Sequence, residues 1–165
     1  MSIDIIRRLG LMVVFILAQV LVLNHIHLFY VATPVVYVYF VLLFPRNHKR
    51  WLTIVMSFIF GLILDSFSNT PGEVVFSLTL LAFLQPYILE LYLERDDSDG
   101  FVPGIASMGP LKYVTYVLLL TFIYCFTLFT IEAFTFFNWL QWLLCIFGSW
   151  LITSTLIIVI DSIRR

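Results

Sequence analysis

No charged residue stands between Lys112 and Glu132, and none between Glu132 and Asp161. Each stretch is as long as the ~20 apolar residues that an α-helix needs to cross the hydrocarbon core of a bilayer. Earlier runs of the same character fill most of the chain. A soluble domain is about 45–50% apolar. This chain is 62% hydrophobic over 165 residues, with a mean hydropathy of +1.05. It cannot bury that much apolar surface in a water-soluble core, so lipid has to solvate most of it. The net charge of −1 provides no strong field toward nucleic acid or acidic substrates.

The apolar runs and their breaks predict a single membrane domain over residues 1–165 with six spans. These are Leu9–Leu23, Leu28–Phe44, Trp51–Phe67, Thr70–Tyr92, Leu111–Ile131 and Trp139–Ile160. Arg7 and Arg8 before the first run resemble a secretory signal. No small-x-small cleavage site follows Ala18, so the run reads as an uncleaved helix. The first two spans are short and separated by Asn24-His25-Ile26-His27, which predicts a tight hairpin with a kink at Pro34. Thr70-Pro71-Gly72-Glu73 reads as a capping box opening the fourth span, which contains Pro86. Pro103-Gly104 and Gly109-Pro110 mark turns in the polar segment before the fifth span. With six spans, all nine basic residues fall on one side. Lys and Arg accumulate in cytoplasmic loops, which puts both termini in the cytoplasm. Trp51, Trp139 and Trp142 stand at span ends, where interfacial anchors belong.

Asp65 is the most informative polar residue. It lies about 14 residues, or ~21 Å, into the third span. An acid there opposes the dipole of its own helix. Thr53, Ser57, Gly61 and Asp65 recur every four residues, a small polar stripe suited to close helix contact in lipid. Two roles suit Asp65: holding the turn Ser66–Asn69 by accepting hydrogen bonds, which is favoured, or a proton or substrate site. Tyr113, Tyr116, Tyr124 and Thr127 form a second stripe, and Cys145, Ser149 and Thr153, beside Gly148, a third. Both read as helix–helix contacts, with a hydroxyl-lined cavity the minority reading.

Chemistry finds little support. His25, His27, Glu73 and Glu132 have no metal-ligand spacing. Cys125 and Cys145 lie in apolar runs without a CxxC pattern and read as packing residues. Glu94–Gly100 fails as a calcium loop, because Arg95 and Ala106 occupy ligand positions. It reads either as a solvated loop or as a docking surface for a basic partner. No nucleophile–base pair, P-loop or dinucleotide fingerprint is present. The expectation is a protein with no catalytic, metal or cofactor site.

The run Phe60-Gly61-Leu62-Ile63-Leu64-Asp65-Ser66-Phe67-Ser68-Asn69-Thr70-Pro71-Gly72 resembles the signature of the rod shape-determining protein MreD family. That family closes its third helix with Gly-Leu-x-x-Asp and opens the fourth after a small polar loop with Pro and Gly. Gly61, Leu62, Asp65, Ser68, Pro71 and Gly72 match. Length and six-span layout are also similar. The resemblance implies an all-α integral membrane fold similar to that of the S-components of vitamin transporters. It implies a bacterial inner-membrane location and a non-catalytic part in cell-wall elongation. The implied partners are an MreC-like scaffold, an MreB-like filament and peptidoglycan synthases, with Gly61, Asp65, Ser68, Pro71 and Gly72 as the structural or partner-loop residues. The likeness to S-components supplies the alternative, a substrate-binding subunit of a small-solute or vitamin transporter.

Overall fold

The computed structural model describes residues 10, 13–14, 16–17, 19, 33–45, 49–68, 70, 72–93, 101–133 and 139–164. Among these the regular structure is helical. Helices α1 (Val38–Leu42), α2 (Arg50–Ser68), α3 (Glu73–Tyr92), α4 (Ile105–Met108), α5 (Pro110–Glu132) and α6 (Trp139–Arg164) follow the helical residues between 10 and 19. Among the described residues, α2, α3, α5 and α6 are long and apolar enough to cross a membrane. Over the described residues the chain is an all-helical, membrane-embedded protein.

The long helices have apolar outer faces: Val55, Phe58, Ile59 and Leu62 on α2, and Leu144, Phe147 and Leu151 on α6, are exposed. Their inner faces carry the core, which includes Phe60, Leu64, Leu78, Leu81, Leu120 and Ile146. Helices of this composition gain little by hiding from lipid, so close fit and internal hydrogen bonds hold them together. Helices α2 and α3 pack side by side, α3 meets α5, and α5 meets α6. Lys49, Arg50 and Lys112 begin α2 and α5; α3 ends beside the start of α2, joined by an Arg50–Glu90 ion pair at 3.6 Å, and α6 ends beside α4, just before α5, where Ile105 N–H donates to Asp161. We call this the basic end. Trp51 and Trp139 are exposed at opposite ends of the bundle, and Trp142 is half-buried against Phe126.

The segment expected to form the second span departs from a kinked helix. Residues 33–35 are extended, 36–37 form a turn, and only 38–42 are helical. Three successive i→i+3 bonds, from Val38, Tyr39 and Phe40 to Val35, Val36 and Tyr37, tighten the entry into α1. Every residue from Val35 to Phe44 is buried. Pro34 cannot donate a backbone hydrogen bond and pushes its predecessor out of the helical region. Unwound backbone at membrane depth survives only where protein satisfies it. Here Ser149 Oγ accepts from Thr33 N–H at 3.1 Å, and Thr153 Oγ1 accepts from Val35 N–H at 3.1 Å. Gln19 Nε2 donates to the Pro34 carbonyl at 3.1 Å. Gln85 Nε2 donates to the Phe44 carbonyl at 3.2 Å. The α6 stripe therefore serves an extended backbone and not a helix face, which corrects the sequence expectation. The first hairpin's tip, residues 24–27, lies outside the described residues.

Candidate functional site

Helices α2 and α3 meet at a corner built from the sequence element around Asp65. Gly61 is buried where α2 crosses the start of α3. A Cβ on Gly61 would lie 2.6 Å from Val75 Cα and 3.1 Å from Val75 N. Both are backbone atoms, so the neighbour cannot swing away. Glycine is what lets the two helices approach this closely. Thr53, Ser57 and Asp65 continue the stripe, and all three are buried.

One turn further on, Asp65 reaches across the corner. Its Oδ1 accepts from Thr70 Oγ1 at 2.7 Å and from Val74 N–H at 3.1 Å. Its Oδ2 accepts from Val75 N–H at 3.1 Å. The backbone closes the same loop, since Thr70 N–H donates to the Asp65 carbonyl at 3.3 Å. The first N–H groups of a helix have no partner within it. Asp65 supplies that partner from the preceding helix, and its negative charge faces the positive end of the α3 dipole. The acid that opposes its own helix thus stabilises the next one. The turn Ser66–Asn69 contributes none of these three side-chain bonds, which come from Thr70 and α3.

The expected capping box does not form. The N-cap of α3 is Gly72, at φ 86°, with no side-chain cap of its own. Thr70 is engaged by Asp65 and does not cap the helix. A left-handed φ is readily adopted by glycine and disfavoured for other residues, so Gly72 is the residue that turns the chain into α3. Ser68 is half-buried, Leu62 is exposed, and Phe67 is 63% exposed beside the corner. Pro71 lies outside the described residues. Of the five partner-loop candidates, the structure brings Gly61, Asp65 and Gly72 to the start of α3.

The other predicted positions divide. Tyr113, Tyr116 and Tyr124 are buried on α5. The Tyr124 and Tyr37 hydroxyls pair at 2.5 Å, their rings edge to face. Tyr116 Oη accepts from Gln85 at 3.1 Å. Glu73 is half-buried and Glu132 exposed. No cluster of metal-ligating side chains occurs among the described residues. His25, His27 and the loop 94–100 lie outside them.

Sequence reasoning missed Asp161, Gln85 and the Tyr37–Tyr39 pair. Asp161 falls one residue past the expected end of the sixth span, where it looks like an interfacial acid. It is buried, and its Oδ1 accepts from Tyr39 Oη at 2.7 Å. The usable signal was the one that marked Asp65, an acid in the last turn of an apolar helix.

No family model, curated protein or solved structure matches the chain. The geometry therefore stands alone beside the resemblance of the 60–72 run. It describes a membrane corner in which a glycine permits close approach and a carboxylate locks two helices and their turn.

Proposed function

We propose that the chain is a non-catalytic, multi-pass component of the bacterial inner membrane, and that it serves as an adaptor in the cell-elongation machinery. In this reading it crosses the bilayer six times, with both termini and the basic end in the cytoplasm. The segments 9–23 and 28–44 are then added to the four long helices. The turn after Asp65 faces the periplasm and meets a bitopic scaffold of the MreC type. A cytoplasmic MreB-like filament and peptidoglycan synthases complete the assembly.

One observation carries the reading. All the described contacts of the Asp65 carboxylate lie within the corner, on Thr70, Val74 and Val75. Such an acid holds a surface in shape, as a docking element requires. Three of its roughly four acceptor positions are filled by this corner, whereas a carboxylate that coupled protons or bound a solute would keep more of them exchangeable. The resemblance of Gly61–Gly72 to the MreD signature supplies the biological setting. Binding would rest on packed helix faces and the fixed turn, with Phe67 as an exposed contact at its edge.

Depletion in a rod-shaped host tests the proposal. Cells should become round. Complementation should fail with Asp65→Leu and be partly retained with Asp65→Asn, whose amide keeps one acceptor. Purification in mild detergent should recover a bitopic scaffold. Rod shape maintained on depletion, with loss of uptake of one vitamin and recovery of an ATPase module, would refute the proposal in favour of a transport subunit.

A further inference from the structure

Two carboxylates, Asp65 and Asp161, are buried among the described residues, 8% and 7% exposed. Each stands three residues before the end of its helix, at Ser68 and Arg164. Their surroundings differ in a way that matters chemically. Asp65 takes three donors and faces the first turn of the 20-residue helix α3. Asp161 takes two: Tyr39 Oη on Oδ1 at 2.7 Å, and Ile105 N–H on Oδ2 at 2.8 Å. The helix behind Ile105 is only four residues long and offers little dipole. No Lys or Arg among the described residues pairs with Asp161; the ion pair there is Arg50–Glu90. A buried carboxylate normally requires a countercharge or a fuller set of donors. An ionised carboxylate has about four acceptor positions, so two remain among the described residues.

Those positions border open space. Asp161 lines a cleft of about 180 Å³ at the basic end, walled by residues 102–107. Gly104 keeps its mouth clear, since a Cβ there would lie 3.6 Å from Asp161 Oδ2 and 3.6 Å from Ser107 Oγ. The single Ser107 hydroxyl proton is held by the Val102 carbonyl at 2.7 Å, with the Gly104 carbonyl also within reach at 3.1 Å, which leaves the Oγ lone pairs as acceptors. The cleft thus combines one negative charge with neutral oxygen acceptors.

We propose that this cleft binds a primary ammonium group, with the headgroup of an ethanolamine phospholipid as its source. The charge matches one to one. The three N–H donors of an ammonium suit a carboxylate with free positions and a hydroxyl acceptor nearby. A divalent cation is disfavoured, because it takes six or more oxygen ligands and usually several carboxylates, and Asp161 is the one charged residue of the cleft among the described residues. A trimethylated ammonium has no N–H to give. The cleft of about 180 Å³ has room for an ethanolamine group. The cleft lies where α6 ends and α5 begins, the level at which membrane-crossing helices meet headgroups.

The test uses the full chain purified in detergent, titrated with short-chain phosphatidylethanolamine, short-chain phosphatidylcholine and free ethanolamine while thermal unfolding is followed. Phosphatidylethanolamine should raise the melting temperature in a saturable way, and phosphatidylcholine should not. Asp161→Asn should weaken the apparent affinity at least tenfold. Gly104→Val places its side chain between Asp161 Oδ2 and Ser107 Oγ without removing either donor to Asp161, and should abolish the shift even if Asp161→Asn folds poorly. Free ethanolamine acting as strongly as the lipid would keep the ammonium site and replace its source with a soluble amine. Equal shifts from the two lipids, or an unaltered shift in Gly104→Val, would overturn the proposal.

Discussion

Gly61 and Asp65 act on the same residue of the facing helix, and this predicts that their substitutions are coupled. The Cβ of Gly61→Ala would lie 2.6 Å from Val75 Cα. Carbon atoms in ordinary contact stand about 3.5–4.0 Å apart, so α2 and α3 must separate locally by roughly 1 Å. The Asp65 Oδ2 bond to Val75 N–H is 3.1 Å long and one turn away. The same separation would carry it past about 3.5 Å, where it ceases to be a hydrogen bond. Overpacking costs about 1–3 kcal/mol, and a lost bond to a charged group about 1.5–3 kcal/mol. The better helix propensity of alanine returns about 1 kcal/mol. The net expectation for Gly61→Ala is a loss of about 1.5–5 kcal/mol. Asp65→Asn exchanges one acceptor oxygen for a donor and loses the same Val75 bond, at about 1.5–3 kcal/mol. Since both changes forfeit one shared bond, the double variant should be less destabilised than the sum, by about 1.5 kcal/mol or more. Reversible unfolding of the four proteins in one detergent measures this cycle. Additivity within about 0.5 kcal/mol, or a Gly61→Ala protein as stable as the parent, would refute the argument that the glycine sets the distance the carboxylate spans.

Two further predictions concern the rest of the chain. Reporter fusions after Arg50, Asp99 and Arg165 should read cytoplasmic and fusions near Asn69 and Asn138 periplasmic; a periplasmic C-terminus would remove the six-span topology. Thr153→Val should leave the buried Val35 N–H without its acceptor and cost about 1–3 kcal/mol, Ser149→Ala should cost less because Thr33 N–H is only part-buried, and Thr153→Ser should restore most of the loss. If Thr153→Val unfolds like the parent, the α6 hydroxyls do not hold the 33–35 backbone.

The outline of α2, α3, α5 and α6 was legible because charges are excluded from the hydrocarbon, so their spacing along the chain marks where helices begin and end. The stripe of Thr53, Ser57, Gly61 and Asp65 was legible for a similarly local reason: a four-residue repeat puts side chains on one helix face. That Asp65 does not stabilise its own helix followed from its position at the wrong end of a dipole. Its partners did not follow. Thr70 followed three residues later by Glu73 has the form of a capping box, and only the approach of α2 diverts the Thr70 hydroxyl to Asp65.

The second span shows the limit most clearly. By composition alone, Leu28–Phe44 is an apolar run with one proline, and a kinked crossing helix is the natural reading. Whether such a segment stays helical or unwinds depends on who satisfies its backbone, and that is a property of neighbours far away in the chain. Ser149, Thr153, Gln19 and Gln85 supply those bonds across separations of 116, 118, 15 and 41 residues. Asp161 was obscured in the same way, since an acid one residue past an apolar run looks wet until Tyr39 and Ile105 are seen to cover it. The amino-acid sequence by itself determined that this chain is a helical membrane protein, because burial in lipid is decided by local composition and length. Only the tertiary structure decided which polar groups are paired, where the backbone unwinds and which carboxylate retains open acceptor positions. Hydrogen bonds are satisfied pairwise in three dimensions, and no local pattern names the partner.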